Sequence, residues 1–110
     1  MTCSGAADVG LLADRVTRKL SSDGWGQMSC LSGMGADISG FIQSAKAAET
    51  VVLDGCPVKC GSKICQKNGI EHTSLVMTEF GLKKGETNVS DELVSEIAEK
   101  VKAADHVGKS

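Results

Sequence analysis

The cysteines are the residues of this chain best suited to chemistry. Four of the five stand where a short apolar segment gives way to a predicted helix, namely Cys3, Cys30, Cys56 and Cys60. In an open parallel α/β sheet the carboxyl ends of the strands lie along one edge, so residues far apart in sequence can meet there. Four thiolates are the usual ligands of structural zinc, with metal–sulfur distances of about 2.3 Å, but they also hold iron–sulfur clusters. The pattern predicts a metal site and leaves both metals open.

The segment Cys56–Cys60 carries the strongest signal. Pro57 is favourable at the first position of a helix, which would place Cys56 and Cys60 on one face of its first turn, able to bind one ion together. The amino end of a helix favours thiolate over thiol, and Lys59 and Lys63 add positive charge nearby. The sequence therefore predicts that both cysteines are good ligands.

The remaining cysteines carry less specific signals. Taken singly, Cys3 and Cys30 fit small buried side chains equally well, and only their shared placement favours ligands. Cys65 lies two helical turns beyond Val58 on the expected core face, so we assign it to packing rather than to the site.

Hydrophobic periodicity predicts the elements that would position these residues. Helices are expected over 8–22, over a stretch that opens at Ser32 and carries Ile38, Phe41, Ile42 and Ala45, from Pro57 onward, and after Ser90 as the N-cap. Strands are expected within 25–31, at 50–53 and within 72–80. Lys83-Lys84 is interpreted as a solvated loop.

Alternation of strands and helices predicts an α/β fold. We expect one three-layer, Rossmann-like domain over residues 1–110, with a small, mostly parallel sheet. Only Met1 and Thr2 precede Cys3, so the first strand is expected to be short or missing. A sheet of this kind leaves an edge that another chain can pair with, which keeps open a protein partner or a homo-oligomer.

Composition narrows the function further. The net charge is −2 and aromatic residues make up 3% of the chain, which argues against nucleic-acid binding. Hydrophobic residues at 41% and charged residues at 24% are ordinary for a globular domain and argue against a membrane span. The amino-terminal residues lack the features of a signal peptide, so we place the protein in the cytoplasm, where thiols and metal thiolates are favoured over disulfides.

Asp54 and three glycines each allow a functional and a structural interpretation. Asp54 would orient a ligand or accept hydrogen bonds from the Cys56 turn, or it would simply form a turn with the following glycine. The glycines at 33, 35 and 40 do not have dinucleotide-binding spacing, and we expect them to let the backbone approach the metal site. His72 and His106 are expected to be surface residues rather than ligands.

The chain resembles a known family at several points. The pieces Cys3-Ser4-Gly5-Ala6, Cys30-Leu31-Ser32-Gly33-Met34-Gly35 and above all Asp54-Gly55-Cys56-Pro57-x-x-Cys60 are similar to the DGC-domain family, over roughly residues 3 to 80. Members of that family are regarded as zinc-binding proteins without an established activity. The resemblance implies zinc as the metal and places the four shared cysteines on Cys3, Cys30, Cys56 and Cys60.

Three functions remain open. The first is a zinc-binding protein whose four thiolates close the coordination shell, and whether it is also an enzyme is left open. The second is a thiol oxidoreductase or sulfur carrier using Cys56 or Cys60, although three intervening residues suit chelation better than a small disulfide ring. The third is an iron–sulfur electron-transfer module. A mobile Cys3 would leave three thiolates and an exchangeable position, as catalytic zinc requires.

Overall fold

A computed structural model describes residues 1–3, 7–29 and 31–109 of the chain, with side chains described up to residue 104. The described residues form five helices and two strands. The helices are α1 (Asp8–Ser22), α2 (Leu31–Gly35), α3 (Ser39–Ala47), α4 (Cys60–Lys67) and α5 (Asp91–Lys109). The strands are β1 (Thr50–Asp54) and β2 (His72–Val76), and a short 3₁₀ helix, Met77–Phe80, follows β2. None of the described helices is long and apolar enough to cross a membrane.

The sheet is parallel and centred on β1. Thr50 pairs with His72 at one end of the β1–β2 ladder, and Asp54 pairs with Val76 at the other. On the other edge of β1, Thr2 forms a single parallel bridge with Leu53. The amide of Leu53 donates to the Met1 carbonyl at 2.9 Å, and the amide of Cys3 donates to the Leu53 carbonyl at 3.2 Å. The first strand is therefore present as a short stub.

Side chains of β1 alternate between two cores. The buried apolar side chains of the described residues, apart from Val76, form two clusters. Leu53 belongs to the first core cluster, made by α1, the 3₁₀ helix and α5, whereas Val52 belongs to the second core cluster, which includes Met34, Ala45 and Cys65 from α2, α3 and α4. Helices thus cover both faces of a small parallel sheet, which confirms the predicted three-layer α/β fold.

The two long helices follow their sequence patterns closely. The predicted face of α1, Val9, Leu12, Val16 and Leu20, is buried in the first core cluster. At the start of α5 the amide of Leu93 donates to the Ser90 hydroxyl at 3.1 Å, which confirms Ser90 as the N-cap.

The predicted strand over 25–31 is wrong for the residues that the structure describes there. The Trp25 amide donates back to the Leu20 carbonyl at 3.0 Å, and Gly24 adopts a φ of 76°, so the end of α1 turns sharply. Residues 26–29 then run without regular structure. Because the stub already occupies the edge of β1 at Leu53, this segment has no strand partner there.

The predicted helix after Ser32 is divided in two. Asp37 adopts a left-handed conformation, with φ at 62°, and separates α2 from α3. In the predicted apolar set, Ala45 is buried, while Ile38 is 49% exposed and Phe41 is 38% exposed. The break rotates the two halves, so one continuous apolar face does not form.

Candidate functional site

The strand β1 ends in a buried carboxylate. Asp54 is 1% exposed, and its two oxygens accept hydrogen bonds from the amides of Gly61 at 2.8 Å and Ser62 at 3.1 Å. The first amides of a helix have no partner within the helix, and its amino end attracts negative charge. Asp54 therefore fixes the start of α4. Both sequence-based interpretations of Asp54 missed this contact with the helix that carries Cys60.

Cys56 and Cys60 do not share a helical turn, so the prediction that they do is wrong. The Lys59 amide donates to the Cys56 carbonyl at 3.1 Å, which closes a turn with Pro57 at its second position. Lys59 then adopts a left-handed conformation, with φ at 55° and ψ at 50°, and α4 begins at Cys60. Because Asp54 binds the amides of residues 61 and 62, the helix starts later than the proline pattern indicates.

Two glycines, Gly55 in this loop and Gly61 in the first turn of α4, allow a close approach that a side chain at either position would block. A Cβ atom on Gly55 would lie 2.6 Å from the Gly10 amide nitrogen and 2.7 Å from the Val9 carbonyl carbon. A Cβ atom on Gly61 would lie 2.6 Å from a Val52 methyl group and 2.8 Å from an Asp54 carboxylate oxygen. The loop therefore packs closely against the first turn of α1, and the start of α4 packs closely against β1.

Cys3 lies at the carboxyl end of the stub, beside this loop. Its sulfur accepts a hydrogen bond from the Gly55 amide at 3.3 Å, and its own amide is bound to the Leu53 carbonyl. The side chain is half-buried. The backbone amide and the sulfur of Cys3 are thus both hydrogen-bonded, and the partner of the sulfur is Gly55, the residue that precedes Cys56.

Cys56 and Cys60 face different surroundings. Cys56 is half-buried and packs against the first core cluster, and its sulfur lies 3.9 Å from the Lys84 ammonium nitrogen. Cys60 is exposed at the start of α4 and lines a cavity of about 350 Å³ together with Cys3. The two thiols of the central motif therefore contact separate parts of the fold.

Cys30 lies outside the described residues, but its neighbours are placed. Ser29 and Leu31 both line the cavity that Cys3 and Cys60 share. Among the side chains that the structure describes, no three from His, Cys, Asp and Glu are arranged to hold a metal ion. The four-cysteine site stays a prediction.

Cys65 is separate from this region. It is fully buried in the second core cluster, as predicted, although Val58, the residue from which the core face was inferred, precedes α4 and is 50% exposed. Burial raises the pKa of its thiol above the ordinary value, since water no longer solvates the thiolate.

Of the remaining predicted residues, Gly33 and His72 make local contacts in the described structure. A Cβ atom on Gly33 would collide with the Phe41 ring, so this glycine permits helix packing rather than approach to a metal. Gly40 has open space around it. The His72 ring nitrogen Nδ1 lies 2.9 Å from the Ile70 carbonyl oxygen, and His106 lies beyond the described side chains.

Sequence reasoning missed the contribution of the loop over 83–87. The Asp8 carboxylate accepts hydrogen bonds from the amides of Gly85 and Thr87, both at 2.8 Å. These hydrogen bonds lower the pKa of Asp8 below its ordinary value. This attachment places Lys84 beside Cys56. The sequence gives no signal that Asp8 pairs with this loop, because Asp8 and Gly85 lie 77 positions apart.

Comparison with known proteins identifies the family. The profile of the DGC domain matches residues 1–101. The chain is 32% identical over 84 residues to the Anaerobic and virulence modulator AnvM of Pseudomonas aeruginosa, in an alignment that covers 74% of this chain and 64% of that protein. The aligned part is thus less than two thirds of that relative. No solved structure matches the chain. Since the profile extends from the stub into α5 and includes the Asp54–Cys60 loop, the chain belongs to the DGC-domain family.

Proposed function

We propose that this protein binds zinc through the thiolates of Cys3, Cys30, Cys56 and Cys60. The observation that carries the proposal is the placement of Cys3. Its sulfur accepts a hydrogen bond from the amide of Gly55, the residue that precedes Cys56. Cys3 also lines the same cavity as Cys60 and both sequence neighbours of Cys30. Four thiolates form the ordinary ligand set of structural zinc, and the residue types present fit that ion.

The chain's own groups support thiolates at these positions. The Gly55 amide donates to the sulfur of Cys3, and the Lys84 ammonium faces the sulfur of Cys56. Cys60 opens α4, whose amino end favours negative charge. Bound zinc would cross-link the carboxyl ends of the stub and β1 to the start of α4.

A closed, four-thiolate site is favoured over an exchangeable one. The alternative with a mobile Cys3 requires that this residue leave the metal readily. Its amide and its sulfur are both hydrogen-bonded in the described structure, so we retain Cys3 as a resident ligand.

The test is the metal content of protein purified anaerobically without added metal, combined with its visible spectrum. We expect about one zinc per chain and no visible absorption. Iron with sulfide would replace this proposal with an electron-transfer function. We expect Cys56→Ser and Cys60→Ser to lose metal, whereas the matched control Cys65→Ser retains it once circular dichroism has shown that it folds. Equal loss in Cys65→Ser would contradict the ligand assignment.

A second function, thiol redox or sulfur transfer at Cys56, is favoured by one specific observation. The 3.9 Å contact with Lys84 is the kind of environment that activates a cysteine nucleophile. Metal-free protein whose Cys56 reacts rapidly with thiol reagents would favour this function over zinc binding.

We extend the proposal to compartment and partners. Cys3, Cys56, Cys60 and Cys65 are all free thiols, which suits a reducing compartment such as the cytoplasm. The name of the Pseudomonas aeruginosa relative describes a modulator, and a similar role here would act through a protein partner or a second copy rather than through nucleic acid or a membrane. Size-exclusion chromatography of the metal-free and zinc-loaded protein, alone and with candidate partners, tests this extension.

A further inference from the structure

The edge of β1 that faces the stub is only partly paired. Leu53 pairs with the stub through both its amide and its carbonyl, and the Met1 nitrogen donates to the Val51 carbonyl at 2.8 Å. In a strand the amide and the carbonyl of one residue point to the same edge, and alternate residues share an edge. The Val51 amide therefore points toward the stub side rather than toward β2, and no described group accepts a hydrogen bond from it there.

A cavity of about 540 Å³ lies beside this amide. Its lining comes from α1, the segment over 25–29, α3 and β1, and it includes Leu20, Trp25, Ala45 and Val51. Leu20 of α1 belongs to the first core cluster and Ala45 of α3 to the second, and these clusters lie on opposite faces of the sheet. The cavity, which we call the edge cavity, thus lies between the two helical layers, where one further strand would fit.

The edge cavity has the size of a short strand. Neighbouring strands lie about 4.8 Å apart, packed layers about 10 Å apart, and a strand rises about 3.3 Å per residue. These spacings give each strand residue a volume on the order of 160 Å³, so the cavity accommodates about three or four residues of extended chain. Since helices cover both faces at this point, an inserted strand would bury its side chains on both faces, which favours apolar residues. Met28 and Phe41, which also line the cavity, are each 38% exposed and are available to cover them.

The described part of the chain does not offer such a strand itself. β1 lies between the stub and β2, so it is already paired on both edges. β2 begins with the polar residues His72, Thr73 and Ser74, and the segment over 26–29 carries one apolar side chain, Met28. A second copy of the chain, or closure of the segment over 26–29, therefore fits the cavity less well than an apolar strand from another protein.

We propose that the edge cavity is the docking site for a short, extended, apolar segment of a partner protein, which adds to the sheet as a strand. A carbonyl of that segment accepts a hydrogen bond from the Val51 amide and so continues the pairing that the stub begins. The inference rests on the part of the proposed function that assigns a protein partner. It does not depend on zinc, because none of the described candidate ligands lines this cavity.

Amide hydrogen exchange in the full chain tests the added strand directly. In the free protein the Val51 amide should exchange rapidly, whereas the Leu53 amide, which donates to the Met1 carbonyl, should be protected. The probes are capped peptides with a lysine at each end and four central residues drawn from valine, isoleucine, leucine and threonine. A peptide that binds should slow exchange at Val51 by about tenfold or more and should change the fluorescence of Trp25, the single tryptophan of the chain.

Two controls separate strand pairing from burial of apolar groups in a cavity. The same peptide, N-methylated at its two central amides, keeps its side chains but cannot pair along either edge, so it should bind about tenfold more weakly or worse. Ser44→Phe places a ring in the edge cavity and should weaken binding to a similar extent. The matched variant Ser95→Phe makes the same change at an exposed position of α5 and should bind like the unaltered protein. Circular dichroism establishes that both variants fold.

Several results would overturn the inference. Protection of Val51 in the free protein would show that the segment over 26–29 already fills the strand position. Equal binding of the N-methylated and unmodified peptides, equal binding by Ser44→Phe and Ser95→Phe, or no protection of Val51 by any peptide of the panel at about 1 mM would each contradict strand addition. Self-association that Ser44→Phe abolishes and that no peptide displaces would assign the cavity to a second copy instead. The measurements are made on metal-free and zinc-treated protein, so a failure to bind zinc refutes the zinc site and leaves exchange at Val51 to decide this inference.

Discussion

The substitution Asp54→Asn tests the contact that fixes the start of α4. Asparagine has nearly the same shape as aspartate, but it replaces one oxygen by an NH₂ group and removes the charge. One of the two amides, on Gly61 or Ser62, would then face another donor. A buried donor without a partner costs about 1–3 kcal/mol, and loss of the negative charge at the helix amino end costs about 1 kcal/mol more. We expect the free energy of unfolding to fall by about 2–4 kcal/mol.

Urea unfolding followed by far-ultraviolet circular dichroism measures this loss. The matched control is Asp91→Asn, which makes the same chemical change at an exposed position in the first turn of α5. That control should lower the free energy of unfolding by less than about 1 kcal/mol. Equal destabilisation by the two substitutions would refute the argument that Asp54 anchors the helix.

Three further predictions concern Gly55, Asp8 and Cys65. Gly55→Ala should destabilise the fold by about 2 kcal/mol or more, because its methyl group would overlap the Gly10 backbone. The control Gly40→Ala in α3 has open space around it, so in thermal unfolding it should be neutral or stabilising by up to about 1 kcal/mol. The folded-state pKa of Asp8 is lowered, so the stability that it contributes is present above its ordinary value of 3.8 and is lost as the pH falls through the folded-state pKa. The stability difference between the unaltered protein and Asp8→Asn should therefore be full at neutral pH and shrink in acid; a constant difference would contradict the assignment. Cys65 should be alkylated only when the chain unfolds, since it is 0% exposed and its pKa is raised; labelling in native buffer as fast as at Cys60 would show that this core is open.

The sequence alone predicted those elements whose structure depends on residues close together in the chain. Apolar spacing set the buried face of α1, and a hydroxyl at Ser90 set the start of α5. The continuous run of β-branched and apolar residues at 50–53 predicted a strand that is covered on both faces. In the structure the side chains of β1 are shared between two core clusters. These features depend on residues a few positions apart.

Prediction failed where a group outside the local sequence pattern determines the structure. The Asp54 carboxylate binds the Gly61 amide, and α4 begins after Pro57 rather than at it. The stub occupies the sheet edge that the segment after Trp25 would need. Lys84 contacts Cys56 across 28 residues of sequence, which composition alone does not reveal. The four-cysteine ligand set is untested, since Cys30 lies outside the described residues.

The contact between Asp54 and the start of α4 has a consequence for hydrogen exchange. The first amides of a helix usually exchange quickly, because no carbonyl of the helix accepts them and the ends open readily. Here the amides of Gly61 and Ser62 are bound by a carboxylate that is itself buried at the end of β1. Deuterium uptake at these two amides therefore reports detachment of the Cys60 segment from the sheet rather than fraying of a helix end.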